Sequence, residues 1–140
     1  TIDKYMGDCI MAFWNAPIDT KNHKELAIKS ALEMIDKLKE LNENNGFGDN
    51  NKLNIGIGIN SGKAVVGNMG SEQRFDYSVL GDAVNLASRL EGVSKNYDAT
   101  LVVGEDTYKD VATQFNFKKL DDVQVKGKTE KVSIYSIYTN

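Results

Sequence analysis

The 140-residue chain contains one cysteine (Cys9), one histidine (His23) and one proline (Pro17). A lone cysteine excludes a disulfide within the chain, and one Cys with one His falls short of a usual zinc ligand set. Cys9 precedes an apolar run and reads as a packed, inert thiol, while His23, among Lys21, Asn22 and Lys24, reads as exposed. No apolar run approaches the roughly 20 residues of a membrane-spanning helix, and no signal-peptide pattern is present. Any membrane anchor is expected outside these residues, and the domain reads as cytoplasmic. A basic excess is also lacking. A net charge of −3 and a pI near 5.2 exclude a general nucleic-acid binder, which needs a basic face to release counterions. The cluster of Lys118, Lys119, Lys126, Lys128 and Lys131 is diluted by Asp121, Asp122 and Glu130, as a solvated face would be.

What is present is ordinary for a globular domain: 41% hydrophobic and 26% charged residues, with no internal repeat. Residues 1–140 read as one domain, and a chain of this size buries about 68–70% of its unfolded surface. Thr1–Tyr5 reads as a strand, Met6-Gly7-Asp8 as a tight hairpin turn, and Ile10–Trp14 as a short buried strand closed by Pro17. Ile28, Ala31, Leu32, Ile35 and Leu38 have the spacing of an amphipathic helix over Asn22–Asn44, followed by the polar loop NENNGFGDNN, whose tip is expected to be mobile. Leu53, Ile55, Ile57 and Ile59 alternate with Asn54, Gly56, Gly58 and Asn60, a strand with one bare face open to close approach. That face could take a helix or a ligand. Ala64–Asn68 is expected to pair with it through Ser61-Gly62-Lys63, with further strands at Thr100–Val103, Phe115–Leu120 and Val132–Tyr138. The alternation fits an α+β domain with a largely antiparallel sheet and helices packed on it.

Two stretches carry chemistry. Arg74–Val93, RFDYSVLGDAVNLASRLEGV, reads as a turn feeding a helix, with Asp82 able to cap the first turn. Val84, Ala87, Leu90 and Leu86 supply a buried stripe, and Asn85 and Arg89, at i and i+4, project together from another side. A guanidinium forks onto phosphate oxygens and an amide beside it can orient a hydroxyl; the alternative is a plain solvated polar face. At the hairpin bend, the Asp8 carboxylate can reach a hard cation such as Mg²⁺, although Gly-Asp is also a common turn pair. INSGKA superficially resembles a P-loop, but Ile57 stands where glycine is needed and Ala64 replaces the metal-binding hydroxyl. The dinucleotide fingerprint also fails, because the glycine after Gly56 and Gly58 falls one place late, at Gly62.

Taken in order, KYMGDCIMAFWNAP and GIGINSGKAVVGNMGSEQRFDYSVLGDAVNLASRLEG closely resemble the catalytic domain of class III nucleotidyl cyclases of the bacterial adenylate cyclase type. The resemblance runs from Thr1 to Tyr138 and includes VKGK at Val125–Lys128. It implies an elaborated ferredoxin-like fold. Asp8 matches the second metal-binding aspartate, and Lys4 the lysine that reads the adenine ring. Ser78 occupies the partner position for the base, where relatives carry Thr or Asp. Asn85 matches the residue that orients the ribose, and Arg89 the one that stabilises the transition state. Lys126 matches a lysine on the terminal phosphates, a role Lys128 is near enough to share. The family's first metal aspartate lies upstream of the lysine position, so the first strand, the first helix and that aspartate are expected ahead of Thr1, and this stretch alone is expected to be inactive or weakly active.

The resemblance further implies that ATP becomes 3′,5′-cyclic AMP and pyrophosphate with two Mg²⁺ or Mn²⁺ ions per site. It also implies a head-to-tail homodimer and an upstream sensor or membrane region in the parent chain. A second reading is a catalytically inactive cyclase-like module that binds nucleotide or a partner. A third, a purely structural dimerisation domain, fits poorly with retention of Lys4, Asp8, Ser78, Asn85, Arg89 and Lys126.

Overall fold

The computed structural model describes residues 1–44, 52–71, 74–125 and 129–138. The polar loop after Asn44 falls almost wholly outside them, as do Lys126 and Lys128. In chain order the elements are β1 (Ile2–Met6), β2 (Cys9–Ala12), α1 (His23–Asn44), β3 (Ile57–Ile59), β4 (Val65–Ser71), β5 (Arg74–Leu80) and α2 (Asp82–Val93). A 3-10 turn (Ser94–Tyr97), β6 (Leu101–Gly104), α3 (Glu105–Val111), β7 (Phe117–Val123) and β8 (Val132–Ile137) follow. The class is α+β.

A four-stranded sheet, ordered β3-β6-β8-β7, forms the centre, with β1–β2 and β4–β5 as separate antiparallel pairs. Among the described residues β3–β6 is the parallel pairing, and the rest are antiparallel. All four residues of β6 are buried, as expected of a strand covered on both faces. Alternation sorts them: Leu101 and Val103 join Ile28, Ala31, Ile35 and Val111, so α1 and α3 cover one face. Val102 joins Leu90 and Ile134, so α2 covers the other. The same alternation in β3 turns Ile57 and Ile59 toward α1 and Gly58 toward α2.

Several expectations need correction. The strand around Ile57 does not extend back to Leu53, because the Leu53 N–H and C=O are both bonded to the Asn42 side chain at the end of α1, each at 2.9 Å. Nor does β4 pair with β3 as a hairpin. The intervening loop is tied elsewhere: the Asn60 amide donates to the Ala83 carbonyl at 3.0 Å, and the Ser61 and Thr107 hydroxyls are bonded at 2.6 Å. β4 pairs instead with β5, so Arg74–Leu80 is strand rather than turn. The run at Ile10 is a strand but not a buried one. Ile10 is 55% exposed and Cys9 is exposed too, because the β1–β2 hairpin leaves one face uncovered by the described residues. His23 is half-buried at the start of α1.

Lys24 secures the first turn of α1 to α3. Its ammonium donates to the Asp106 carbonyl at 2.7 Å and to the Asp110 carboxylate. That hydrogen bond and the cation's charge hold Asp110 below the usual carboxylate value. A depressed folded-state pKa adds stability at neutral pH that fades as pH falls through the carboxylate range. Asp110→Asn is therefore expected to leave a melting temperature that changes less with pH below about pH 5 than the wild type's, read by thermal melts across acid pH. An unchanged acid slope would remove the pair from this role.

Candidate active site

Gly81 and Asp82 open α2 differently from the expected capping. Gly81 is the N-cap, at φ 148°, a backbone region that favours glycine, and no side chain caps the helix. Asp82 is the first helical residue, where its charge suits the positive end of the helix. The apolar side is narrower than expected. Leu90 is 1% exposed, whereas Val84, Leu86 and Ala87 are half-buried. Val84 and Ala87 border an open cleft, while α2 meets β3 by its backbone: a Cβ on Gly58 would lie 2.3 Å from the Ala87 carbonyl oxygen and 2.4 Å from the Glu91 nitrogen. Helix backbone thus packs directly on the bare face of β3 at Gly58.

Asn85 and Arg89 both project to solvent from α2. Arg89 Nη1 donates to the Gln124 carbonyl at 2.8 Å, which ties the guanidinium to the end of β7. Nearby, Tyr97 donates to Asp121 Oδ2 at 2.9 Å. That hydrogen bond, aided by desolvation, holds the phenol above its usual range, and the Arg89 charge opposes it. Lys126 lies outside the described residues.

The other predicted positions lie around the β1–β2 hairpin. Asp8 is exposed at its turn and lines an open cleft of about 650 Å³. One wall of the cleft is β2, another is the stretch Asn54–Gly62, and α2 contributes Ala83, Val84, Ala87, Ser88 and Glu91. Asn85 and Arg89 do not line it. Within the chain, therefore, Asp8 shares the cleft with one side of α2, while Asn85 and Arg89 lie on another. Lys4 pairs with Met11 in the hairpin.

Ser78, the expected base reader, is 6% exposed. Its hydroxyl donates to Asp3 Oδ2 at 2.7 Å. Asp3 escaped the sequence reading because it acts through a β-bulge: Ile2 pairs with Ala12 and Lys4 with Met11, so Asp3 is the extra residue. Bulges re-aim side chains, and no local pattern announced this one.

Among the described residues, no three His, Cys, Asp or Glu side chains gather into a metal cluster. A lone exposed carboxylate at Asp8 still suits a hard cation that completes its shell with substrate phosphates and a further carboxylate.

Residues 3–139 match the adenylate and guanylate cyclase catalytic domain family. The chain is 36% identical over 140 residues to an adenylate cyclase of Anabaena cylindrica, an alignment covering 97% of this chain and 28% of that protein. Its fold resembles the adenylyl cyclase CyaB from P. aeruginosa at a TM-score of 0.87 and 32% identity, covering 100% of this chain and 72% of that one. It also resembles the guanylate cyclase domain of RhGC from Catenaria anguillulae, solved in complex with GTP, at a TM-score of 0.81 and 29% identity, covering 98% and 71%. The chain belongs to the class III adenylate/guanylate cyclase family. It spans 6% to 28% of the length of the curated relatives it matches.

Proposed function

We propose that this domain converts ATP to 3′,5′-cyclic AMP and pyrophosphate. The observation that carries the reading is α2, which presents Asn85 and Arg89 one turn apart with Arg89 anchored to the Gln124 carbonyl. In the proposed reaction the ribose 3′-oxygen attacks the α-phosphorus in line, the bond to the β-phosphate bridging oxygen breaks, and pyrophosphate leaves. Asn85 orients the ribose by hydrogen bonding. Arg89 meets charge that grows on the α-phosphate and leaving oxygen, so its attraction is greatest at the transition state. Lys4 donates to a ring nitrogen of adenine, Ser78 accepts from the exocyclic amino group, and Lys126 neutralises the terminal phosphates. Asp8 would hold Mg²⁺ or Mn²⁺, which supplies charge neutralisation and a lowered hydroxyl pKa when bound.

A homodimer is part of this proposal. Asp8 and the Asn85–Arg89 pair occupy different sides of α2, so a site using all three draws them from two copies. A two-fold pairing then makes two such sites. A cytoplasmic setting, with ATP and Mg²⁺ at hand, and an upstream sensor or membrane region belong to the same proposal. Identity does not separate ATP from GTP, since adenylyl and guanylate cyclase neighbours are nearly equally similar. The preference for ATP rests on Lys4 and Ser78 in place of residues suited to guanine.

The test is cyclic nucleotide formation from ATP and, separately, GTP with Mg²⁺ or Mn²⁺, by this chain and by a form extended ahead of Thr1. Cyclic AMP formation by the extended form, at a rate well above cyclic GTP, is expected. Failure of both forms to make either product while remaining folded and dimeric would favour the inactive, nucleotide-binding or partner-binding module.

A further inference from the structure

We propose that Asp3 is a specificity-determining residue, one that makes the Ser78 hydroxyl an obligate hydrogen-bond acceptor and so selects adenine over guanine. This inference rests on the reading of Ser78 as a base-contacting residue. Three observations carry it. The bulge in β1 turns Asp3 toward β5. Asp3 Oδ2 then receives the Ser78 hydroxyl at 2.7 Å and lies 3.4 Å from the Val79 nitrogen, which donates to it. Finally, Asp3 Oδ1 is buried and has no hydrogen-bond partner among the described residues.

A serine hydroxyl has one proton and two lone pairs, and free to rotate it can serve either role. Here its proton is committed to a carboxylate, a charge-assisted bond stronger than one between neutral groups. What Ser78 Oγ still offers is lone pairs alone. An adenine amino group can donate to those lone pairs, whereas the guanine carbonyl at the same edge brings a further acceptor and leaves oxygen facing oxygen. Leaving a buried acceptor unpaired costs about 1–3 kcal/mol, or about five- to 150-fold in relative affinity. Serine alone would be an undiscriminating reader. The adjoining carboxylate makes it selective.

The test, on the form extended ahead of Thr1, compares ATP with GTP in kcat/KM, and 3′-deoxy-ATP with 3′-deoxy-GTP in direct binding, since the 3′-deoxy nucleotides lack the attacking hydroxyl. Asp3→Ala leaves space and Asp3→Leu fills it; both free the Ser78 proton. Either variant that keeps a wild-type melting profile is expected to lose about ten-fold of the ATP-over-GTP ratio. Ser78→Ala should lose a similar amount, and adding Asp3→Ala to it should change the ratio no further, as for two residues acting as one unit. An unchanged ratio in the folded Asp3 variants overturns the proposal. So does a further fall in the double variant, which would mean that Asp3 reads the base directly. A wild-type protein that binds neither nucleotide overturns the cyclase reading itself, whereas ATP selectivity that survives loss of Asp3 overturns only the role of Asp3.

Discussion

Arg89→Ala is expected to lower kcat for cyclic AMP formation by about 10²–10³-fold while KM for ATP changes only a few-fold. The asymmetry follows from when the guanidinium is needed. A nucleotide in its ground state carries most of its charge on the β- and γ-phosphates, and other cations can meet that. Charge builds on the α-phosphate and its leaving oxygen only as the 3′-oxygen closes. An interaction that strengthens at that point raises kcat rather than affinity. Arg89 is suited to this because its donors form a rigid fork and the Gln124 carbonyl already holds one of them. Arg89→Lys keeps the charge but not the fork, so it should recover only part of the loss. Steady-state kinetics on the active form provides the check. Equal losses in kcat and affinity would assign Arg89 to plain nucleotide binding, and no loss would remove it from the site.

Gly58→Ala is expected to impair both stability and turnover, although it adds only a single methyl group. Its Cβ would fall 2.3 Å from the Ala87 oxygen and 2.4 Å from the Glu91 nitrogen, and both are helix backbone that no side-chain rotation can move aside. The helix must lift from β3. Overpacking of this kind costs about 1–3 kcal/mol, read as a lower melting temperature. The same displacement carries Asn85 and Arg89 with it, since they share α2, and a misplacement near 1 Å can cost about 10²-fold in rate. Gly92→Ala makes the contrast. It lies in the same helix with nothing within 4 Å of an added Cβ, and it should stabilise by about 0.5–1 kcal/mol, the usual gain of alanine over glycine within a helix. Were Gly58→Ala to melt and turn over like the wild type, α2 would not be set by its contact with β3.

Much of both fold and site could be read from local residue patterns. Helix α1 matches its periodicity almost to the residue, because its apolar positions repeat on one face. The strands later observed as β6, β7 and β8 were located within a few residues. Reading failed where a partner distant in sequence overrode a local pattern. The alternation from Leu53 to Ile59 promised one long strand, but Asn42 took the Leu53 backbone. Ser61-Gly62-Lys63 resembled a hairpin turn, but Asn60 and Ser61 were bonded to the helices on either side. α3 went unrecognised: at seven residues it is too short for periodicity to stand out.

The site divides the same way. That Asn85 and Arg89 share a helix face is a matter of 3.6 residues per turn, and Asp8 at a bend follows from the Gly7-Asp8 pair between two strand-like runs. Family membership also was legible, because contiguous blocks in order need no tertiary information to match. Three further features depend on chain segments meeting across the fold. The Gln124 carbonyl reaches Arg89 only because β7 ends beside α2. Asp8 and Arg89 are separated only because α2 lies between the cleft and β7. Asp3 meets Ser78 only because a bulge turns it toward a strand 75 residues away. Residue type and spacing determined which chemical groups this protein possesses. Hydrogen-bond direction and helix-to-strand distance, which arise only on packing, decided which of them act together.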